Sequence, residues 1–226
     1  MKKESVKIFY LLLIGILIAA NTFAQNNNDG KFQIARLKYE GGGDWYNDPS
    51  AEVNLLKFIE ENTTVEVYPE YTFVDIATND IFSYPFLFLT GHGNVVFNND
   101  EVERLRKYLE NGGFLYIDDD YGLDKSIRRE LKKIFPGNPL VELPFNHELY
   151  HILYDFEQGP PKIHEHDGKP PQGFGIFIGK RLAVYYTYES NPGDGWADPE
   201  VHKDPPEKRL EALKFGTNLV LYVLSN

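Results

Sequence analysis

The feature that most constrains the fold is a strand-helix-strand unit between Tyr84 and Tyr121. Residues 84–90 and residues 114–117 are continuous apolar runs of strand length. Such runs are typical of strands that are covered on both faces, as in a parallel sheet. The segment between them predicts a helix, because Asn98 and Glu101 have the spacing of a capping box and apolar residues follow at helical intervals.

This unit also predicts a site. Two strands joined by one crossover helix are almost always parallel and right-handed, so both end on the same edge of the sheet. His92 follows the first strand, and Asp118, Asp119 and Asp120 follow the second. Open α/β sheets bind ligands at that edge. His92, Asp118 and Asp119 are therefore candidate catalytic and ligand-binding residues, although a polar loop and a strand end in water would give the same pattern.

The rest of the chain predicts a three-layer α/β sandwich with a mostly parallel sheet and one added hairpin. The hairpin is indicated by two strand runs that Gly179 and Lys180 join tightly. Asp48 is expected to cap the first helix, with Pro49 at its first position. Further strands are predicted at 32–39, 64–68, 72–76, 140–143, 174–178 and 182–188, and further helices at 123–135, 146–155 and 207–224.

Residues 1–24 have the pattern of an export signal. They combine a basic start, a 13-residue apolar core and small residues before Gln25. The apolar core is shorter than the ~20 residues of a membrane span, so an uncleaved anchor is the less favoured alternative. The sequence therefore predicts a single domain over residues 25–226, exported to the periplasm or the exterior, without stable membrane insertion after cleavage.

Charge and cysteine content exclude several classes of function. The chain has a formal net charge of −11, and removal of the basic signal would make it more acidic. Such a charge repels nucleic acids and anionic membranes and favours cations or neutral ligands. The chain has no cysteine, which excludes disulfides, thiol lipidation and a thiol nucleophile.

Two histidine motifs offer ligands for a divalent metal. His147, Glu148 and His151 match the pattern H-E-x-x-H, which on a helix places both histidines on one face. The third ligand of the extended motif is absent, so His147 and His151 are metal candidates and no cofactor is firmly predicted. His164 and His166 could also chelate a metal.

These last two histidines lie in a long excursion, residues 159–173, which contains four prolines and several glycines. A loop of this length is often an active-site lid or a contact surface for a partner. Alternating histidines on a solvated loop are commonly without a ligand, and the sequence brings no second pair near them. The excursion is therefore expected to act as a lid or a partner loop.

The two tryptophans form a third candidate feature. Trp45 and Trp196 both lie in loops rich in glycine and aspartate, each after a strand. Exposed aromatic rings beside carboxylates are suited to a sugar or another neutral polar ligand. Both tryptophans are therefore candidate ligand-binding residues, and the alternative is that each ring folds back over the sheet. Asp194 and Asp198 could hold calcium, but their spacing differs from that of a helix-loop-helix site.

Several segments resemble a known family. Phe88–Gly93, Asn98–Gly113 and Phe114–Asp119 are similar to the bacterial family designated DUF4159, a domain of unknown function, and the similarity extends over nearly all of residues 25–226. Relatives are often found beside BatA-type cell-envelope domains. This resemblance implies family membership and hints at an envelope complex, but it implies no activity.

More distantly, the core resembles the class I glutamine amidotransferase-like fold, which includes ThuA-like proteins. That resemblance implies the fold and a crevice formed by His92, Asp118 and Asp119. Amidotransferases act through a cysteine on a strand-to-helix elbow, and this chain has none. Amidotransferase activity is therefore not expected.

The leading hypothesis is an exported domain that binds a small polar ligand, such as a carbohydrate, or an envelope partner. The first alternative is a hydrolase that depends on a metal or uses His92 as a base, oriented by Asp118 or Asp119. The second alternative is a structural module of a cell-envelope complex. The sequence fits both an enzyme and a binding protein without catalytic activity.

Overall fold

A seven-stranded sheet forms the centre of the computed structural model, which describes residues 30–226. The predicted export signal lies outside the described residues. The strands are β1 (Ile34–Lys38), β2 (Phe73–Asp75), β3 (Phe86–His92), β4 (Phe114–Tyr121), β5 (Val141–Glu142), β6 (Gln172–Ile178) and β7 (Arg181–Tyr188). The helices are α1 (Ala51–Asn62), α2 (Asn99–Glu110), α3 (Asp124–Ile134), α4 (Pro192–Trp196), α5 (Pro199–His202) and α6 (Pro206–Ser225).

The sheet is mostly parallel, as predicted. Its strand order is β2-β1-β3-β4-β7-β6-β5, and the first five strands in this order are mutually parallel. β6 runs antiparallel to both β7 and β5, and Gly179 has a positive φ in the tight turn between β6 and β7. The predicted hairpin is therefore present at one side of a parallel sheet.

Helices cover both faces of the sheet and create two apolar cores. On one face, Leu105 of α2 and Ile127 of α3 are buried in a core with strand residues such as Leu87. On the other face, Leu55 of α1 and Phe215 of α6 are buried in a second core. The protein is therefore a three-layer α/β sandwich.

The β3-α2-β4 unit has the predicted geometry. The Asn98 side chain accepts a hydrogen bond from the Glu101 backbone N–H at 3.0 Å, and the Glu101 carboxylate accepts one from the Asn98 N–H at 2.8 Å. This capping box starts α2 where the sequence indicates. β3 and β4 pair in parallel, so both end on the same edge of the sheet.

Three local predictions are wrong. The helix expected over 146–155 is only a 3₁₀ turn at Glu148–Tyr150, because the adjacent Leu149 and Tyr150 are both buried and the His147 ring accepts the Leu149 N–H. The strand at 64–68 is a single bridge. Asp48 does not cap α1 with its side chain, which is paired with His202 instead.

A buried ion pair joins β1 to α1 and fixes the loop between them. The guanidinium of Arg36 lies 2.5 Å from the carboxylate of Glu52, and both side chains are fully buried. Arg36 also donates hydrogen bonds of 2.8 Å to the backbone carbonyls of Trp45 and Asn47. Since these contacts neutralise a charge that water cannot reach, they hold the loop after β1 in one conformation.

Removing one partner of this pair should be costly. We expect Glu52→Leu to lower the free energy of unfolding by about 3–5 kcal/mol, because Arg36 keeps its charge in a dry site. The matched control is Lys38→Met, which breaks an ion pair with Asp75 whose side chains are 36% and 35% exposed and should therefore cost far less. Urea unfolding measures both. Equal losses in the two variants would contradict this role for the buried pair.

Candidate functional site

Five side chains with metal-ligating atoms converge at the carboxyl edge of the sheet. One such atom from each of His164, Asp194 and His202 lies within 4.8 Å of the other two, and the same holds for Asp48, Asp120 and Asp194. Asp194 belongs to both groups. We call these five residues the His/Asp cluster. They come from the loop after β1, the end of β4, the helices α4 and α5 after β7, and the excursion between β5 and β6, so the fold, not local sequence, brings them together.

Asp120 enters the cluster because the pairing of β3 and β4 is irregular. Gly91 pairs with Asp119, but His92 pairs with Tyr121, so Asp120 has no partner on β3. An extra residue of this kind redirects a side chain at the end of a strand. The Asp120 carboxylate, which is buried, accepts hydrogen bonds from the side-chain amides of Asn47 and Asn191.

The loop after β7 is held in place by polar contacts with β4. Asn191, which has a φ of 56°, donates hydrogen bonds to the Asp120 backbone carbonyl at 2.7 Å and to the Asp120 carboxylate at 3.0 Å. The buried Asp118 carboxylate accepts the Gly193 backbone N–H at 2.7 Å. These contacts place Asp194 opposite Asp120.

His164 has the surroundings of a metal ligand. Its Nδ1 lies 2.6 Å from the Asp194 carboxylate, and its Nε2 lies 2.8 Å from that of Asp204. The Asp204 side chain is only 7% exposed. A metal-binding histidine commonly gives its second ring nitrogen to a carboxylate, which fixes the tautomer and turns the first nitrogen toward the ion. Asp204 occupies that position for His164.

His202 completes the cluster from α5. Its Nε2 lies 2.9 Å from an Asp48 oxygen and 3.7 Å from an Asp194 oxygen. The His202 and His164 rings pack edge to face with centroids 5.2 Å apart. Nε2 of His202 and Nδ1 of His164 therefore both adjoin Asp194.

Burial and proximity shift the pKa values of the cluster strongly. Burial, together with the charges of Asp194 and Asp118, raises the pKa of Asp120 well above its usual range. Burial also opposes charge on Asp194, but the hydrogen bond from His164 and the charge of His202 outweigh it and lower the pKa of Asp194. The hydrogen bond to Asp194 raises the pKa of His164 to about 9. The cluster thus combines a carboxyl group at Asp120 that favours its neutral form with a carboxylate at Asp194 that the two histidines stabilise.

His92 lies beside the cluster, but its partners differ from the predicted ones. Its Nδ1 is 3.0 Å from the Asp44 carboxylate and 3.1 Å from that of Asp120, and its side chain is half exposed. Gly91 allows this approach, because its φ is 138° and a Cβ there would lie 2.5 Å from the Tyr39 hydroxyl and 3.0 Å from Asp44. The two carboxylates hold Nδ1 of the His92 ring, so Nε2 lies on the opposite side of the ring from Asp44 and Asp120.

Asp118 and Asp119 lie within β4, which extends beyond the predicted strand at 114–117, and their contacts serve the fold. Asp118 accepts hydrogen bonds from the Thr187 hydroxyl at 2.6 Å and from Gly193, and burial raises its pKa to about 8. Asp119 accepts the backbone N–H groups of Leu123 and Asp124 at the start of α3. Neither contacts His92, so the expected pairing of His92 with Asp118 or Asp119 is replaced by pairing with Asp44 and Asp120.

The two tryptophans have different environments. Trp196 is fully buried, and its indole N–H donates to the carbonyl of Ala212 at 2.8 Å. The expectation that Trp196 stands open in a loop is therefore wrong. Trp45 is half-buried and packs against Tyr46 and Phe73 with ring centroids 5.6 and 5.3 Å away.

The H-E-x-x-H pair does not form the expected metal site. Because the segment is a 3₁₀ turn, His147 and His151 do not share one face of an α-helix. The His147 ring accepts the Leu149 N–H, and the His151 ring is placed between Asp155 and the carbonyl of Phe145. Within residues 30–226, neither histidine belongs to a group of three side chains with ligand atoms as close as those of the cluster.

Sequence reasoning identified part of the cluster and missed the rest. His164 and Asp194 were recognised as metal candidates, but in separate sites, and Asp48 was assigned to a helix cap. His202 carried no signal because it is a single histidine in a loop. Residues 43–49 and 193–199 both begin with Gly-Asp and end with Asp-Pro, but in this repeat Asp48 corresponds to Asp198 and not to Asp194. The repeat therefore gives no signal that Asp48 and Asp194 meet.

Comparison with known proteins gives one family and no curated relative. A family model described as "Domain of unknown function (DUF4159)" matches residues 33–224. The match extends from β1 into α6 and includes all five residues of the His/Asp cluster. No curated protein matches the chain.

The buried Asp118 should make metal-free protein less stable as pH rises. An unfolded aspartate has a pKa of about 4, so a folded pKa of about 8 contributes stability below pH 4 that is lost as pH rises to 8. We expect Asp118→Asn, which mimics the neutral acid, to flatten the fall in unfolding free energy between pH 5 and pH 8, as measured by urea titration with a chelator.

The matched control is Asp119→Asn. Both Asp119 oxygens accept hydrogen bonds from backbone N–H groups. The asparagine side chain would place an NH₂ donor against one of these N–H groups and lose that hydrogen bond. This variant should therefore lose about 1–3 kcal/mol, and because burial also raises the pKa of Asp119, it should flatten the pH dependence as well, but less than Asp118→Asn does. The same pH dependence in wild type and Asp118→Asn would contradict a neutral Asp118.

Proposed function

The chain belongs to the DUF4159 family, whose description names no activity, and we propose from its site that it is a metal-dependent hydrolase. The observation that carries this proposal is the convergence of His164, Asp194 and His202 at the edge of the sheet where α/β proteins bind ligands. Two histidines and one carboxylate form a ligand set found in catalytic metal sites that leave positions for water and substrate.

The contact between the second ring nitrogen of His164 and Asp204 is stronger evidence for a metal ion than the proximity of the ligand atoms alone. Asp204 holds that nitrogen from a buried position, which leaves Nδ1 directed at Asp194. A carboxylate behind a metal-binding histidine raises its basicity and orients the ring. A lone surface histidine does not require such a buried partner.

Asp48 and Asp120 add carboxylates to the cluster, and their negative charge favours the binding of a divalent ion. They lie with Asp194 in one group of carboxylates, and Asp120 and Asp194 are both largely buried. Neighbouring buried carboxylates repel each other and favour a bound proton or cation. Mixed imidazole and carboxylate ligands suit Zn²⁺, Mn²⁺ or Fe²⁺. We assign the ion to His164, Asp194 and His202, with Asp48 and Asp120 as further ligands or as carriers of a proton.

The surrounding groups suit hydrolysis. A bound divalent ion polarises the scissile group and acidifies water. Hydrolysis joins the water oxygen to the electrophilic atom, breaks the bond to the leaving group, and moves one water proton onto that group. Asp120 is placed to accept the proton and His92 to deliver it, because both lie at the cluster and contact each other at 3.1 Å.

This proposal favours the first alternative from the sequence over a binding module or a purely structural one. A binding module needs no pair of imidazoles oriented by buried carboxylates. The parallel sheet and its crevice support the likeness to the class I glutamine amidotransferase-like fold, and the absence of cysteine removes that family's chemistry. Recognition of a small polar ligand remains part of the proposal, as substrate binding.

Export belongs to the same proposal. Support comes from the signal pattern in residues 1–24. Within residues 30–226, no helix is long and apolar enough to cross a bilayer. An exported hydrolase of this kind would act in the periplasm or outside the cell. A cell-envelope protein is the partner class that we propose for it.

The proposal predicts specific loss of zinc binding. We expect the wild-type chain to bind Zn²⁺, and Asp204→Asn to weaken the affinity by about 10–100-fold, because His164 loses its orienting carboxylate. His164→Ala combined with His202→Ala should abolish binding at the site. Isothermal titration gives the affinity, and elemental analysis of dialysed protein gives the metal content.

The matched control is His151→Ala, which removes a histidine that is likewise paired with an aspartate, at 3.0 Å, but lies outside the cluster. This variant should bind Zn²⁺ like wild type. Absence of metal from the wild type, or retention of full affinity by the double variant, would overturn the proposed metal centre.

A further inference from the structure

Two exposed tyrosines, Tyr46 and Tyr121, flank the hydrogen bond that joins two chain segments at the cluster. The Asn47 side-chain amide donates a hydrogen bond to the Asp120 carboxylate. Tyr46 immediately precedes Asn47 and is 63% exposed, and Tyr121 immediately follows Asp120 and is 51% exposed. Two exposed tyrosine rings are therefore each one residue away from this hydrogen bond, on separate chain segments.

Neighbouring rings support both tyrosines. Tyr46 packs edge to face on Trp45, whose indole in turn contacts Phe73, itself 53% exposed. On the other segment, Tyr121 stacks on His166 with ring centroids 4.9 Å apart. His166 is fixed by Asn191, which lies 2.8 Å from its Nε2. Trp45 and Tyr46 thus share the loop after β1 with Asp48, and Tyr121 follows Asp120 at the end of β4; we call these two segments the aromatic loops.

The groups between the two tyrosines are polar. His92 is half exposed, and the Asp44 carboxylate beside it is 36% exposed. A ligand that spans this surface needs flat apolar faces for the tyrosines and many hydroxyl donors for carboxylate and imidazole. Sugar rings combine both properties. Nucleic acid bases also stack on aromatic rings, but a formal net charge of −11 opposes a polyanion.

We infer that the substrate is a neutral glycan, which lies across Tyr46 and Tyr121 and places its hydrolysable bond at the His/Asp cluster. This inference rests on the proposed function and names its substrate class. The tyrosines hold sugar units on either side of the reacting unit, and the carboxylates between them bind hydroxyl groups. The hydrogen bond from Asn47 to Asp120 joins the two aromatic loops at the cluster.

The test is binding of neutral hexasaccharides to the zinc-loaded full chain. The probes are the β-1,4-glucan, β-1,3-glucan, α-1,4-glucan and N-acetylglucosamine hexamers, and the readouts are titration calorimetry and tryptophan fluorescence. Trp45 should report binding because it contacts Tyr46, whereas Trp196 is fully buried. We expect at least one hexamer to bind, and Tyr46→Ala and Tyr121→Ala each to weaken it by about tenfold.

The matched control is Phe145→Ala, an aromatic residue that is 46% exposed and lies outside the aromatic loops. It should leave the affinity unchanged. Failure of all four hexamers to bind, equal binding of a neutral Gly-Ser peptide, or equal weakening by Phe145→Ala would overturn the inference. The zinc content of the same samples separates the two proposals: bound zinc without glycan binding refutes only the substrate class, and glycan binding without zinc refutes only the metal centre.

Discussion

The structure depends on how it compensates the carboxylates that the sheet buries along one edge. Asp118 and Asp119 are satisfied by backbone N–H groups and hydroxyls, and they hold the loop after β7 and the start of α3. Asp120 and Asp194 have amide and imidazole partners but still face each other. Buried like charges are expensive unless a proton or a cation lies between them. The metal centre that we propose follows from this imbalance.

The site also depends on loops that polar contacts hold rigidly. The fully buried Arg36 guanidinium binds the carbonyls of the loop after β1, which carries Asp48. The register shift between β3 and β4 turns Asp120 toward that loop, and Asn191 ties the β7 loop to Asp120. Each of these contacts joins two segments that are distant in sequence. The cluster is therefore a property of the parallel sheet edge and of the loops that meet there.

Sequence patterns predicted the sheet better than the site, for physical reasons. Apolar runs and the capping box of Asn98 report local preferences, so the β3-α2-β4 unit and its parallel direction could be predicted. His92 was placed at the correct edge by the same argument. Its partner Asp120 could not be distinguished from Asp118 and Asp119, because a shift of strand register has no local signal. His202 joins the cluster only through tertiary packing.

The most direct measurement is a crystal structure of the full chain soaked in Zn²⁺, with an anomalous difference map calculated at the zinc edge. We expect one strong peak within coordination distance of Nδ1 of His164, the carboxylate of Asp194 and Nε2 of His202. We also expect that Asp204 still holds the second nitrogen of His164. A map without a peak there, or with its main peak at His147 and His151, would contradict the central claim.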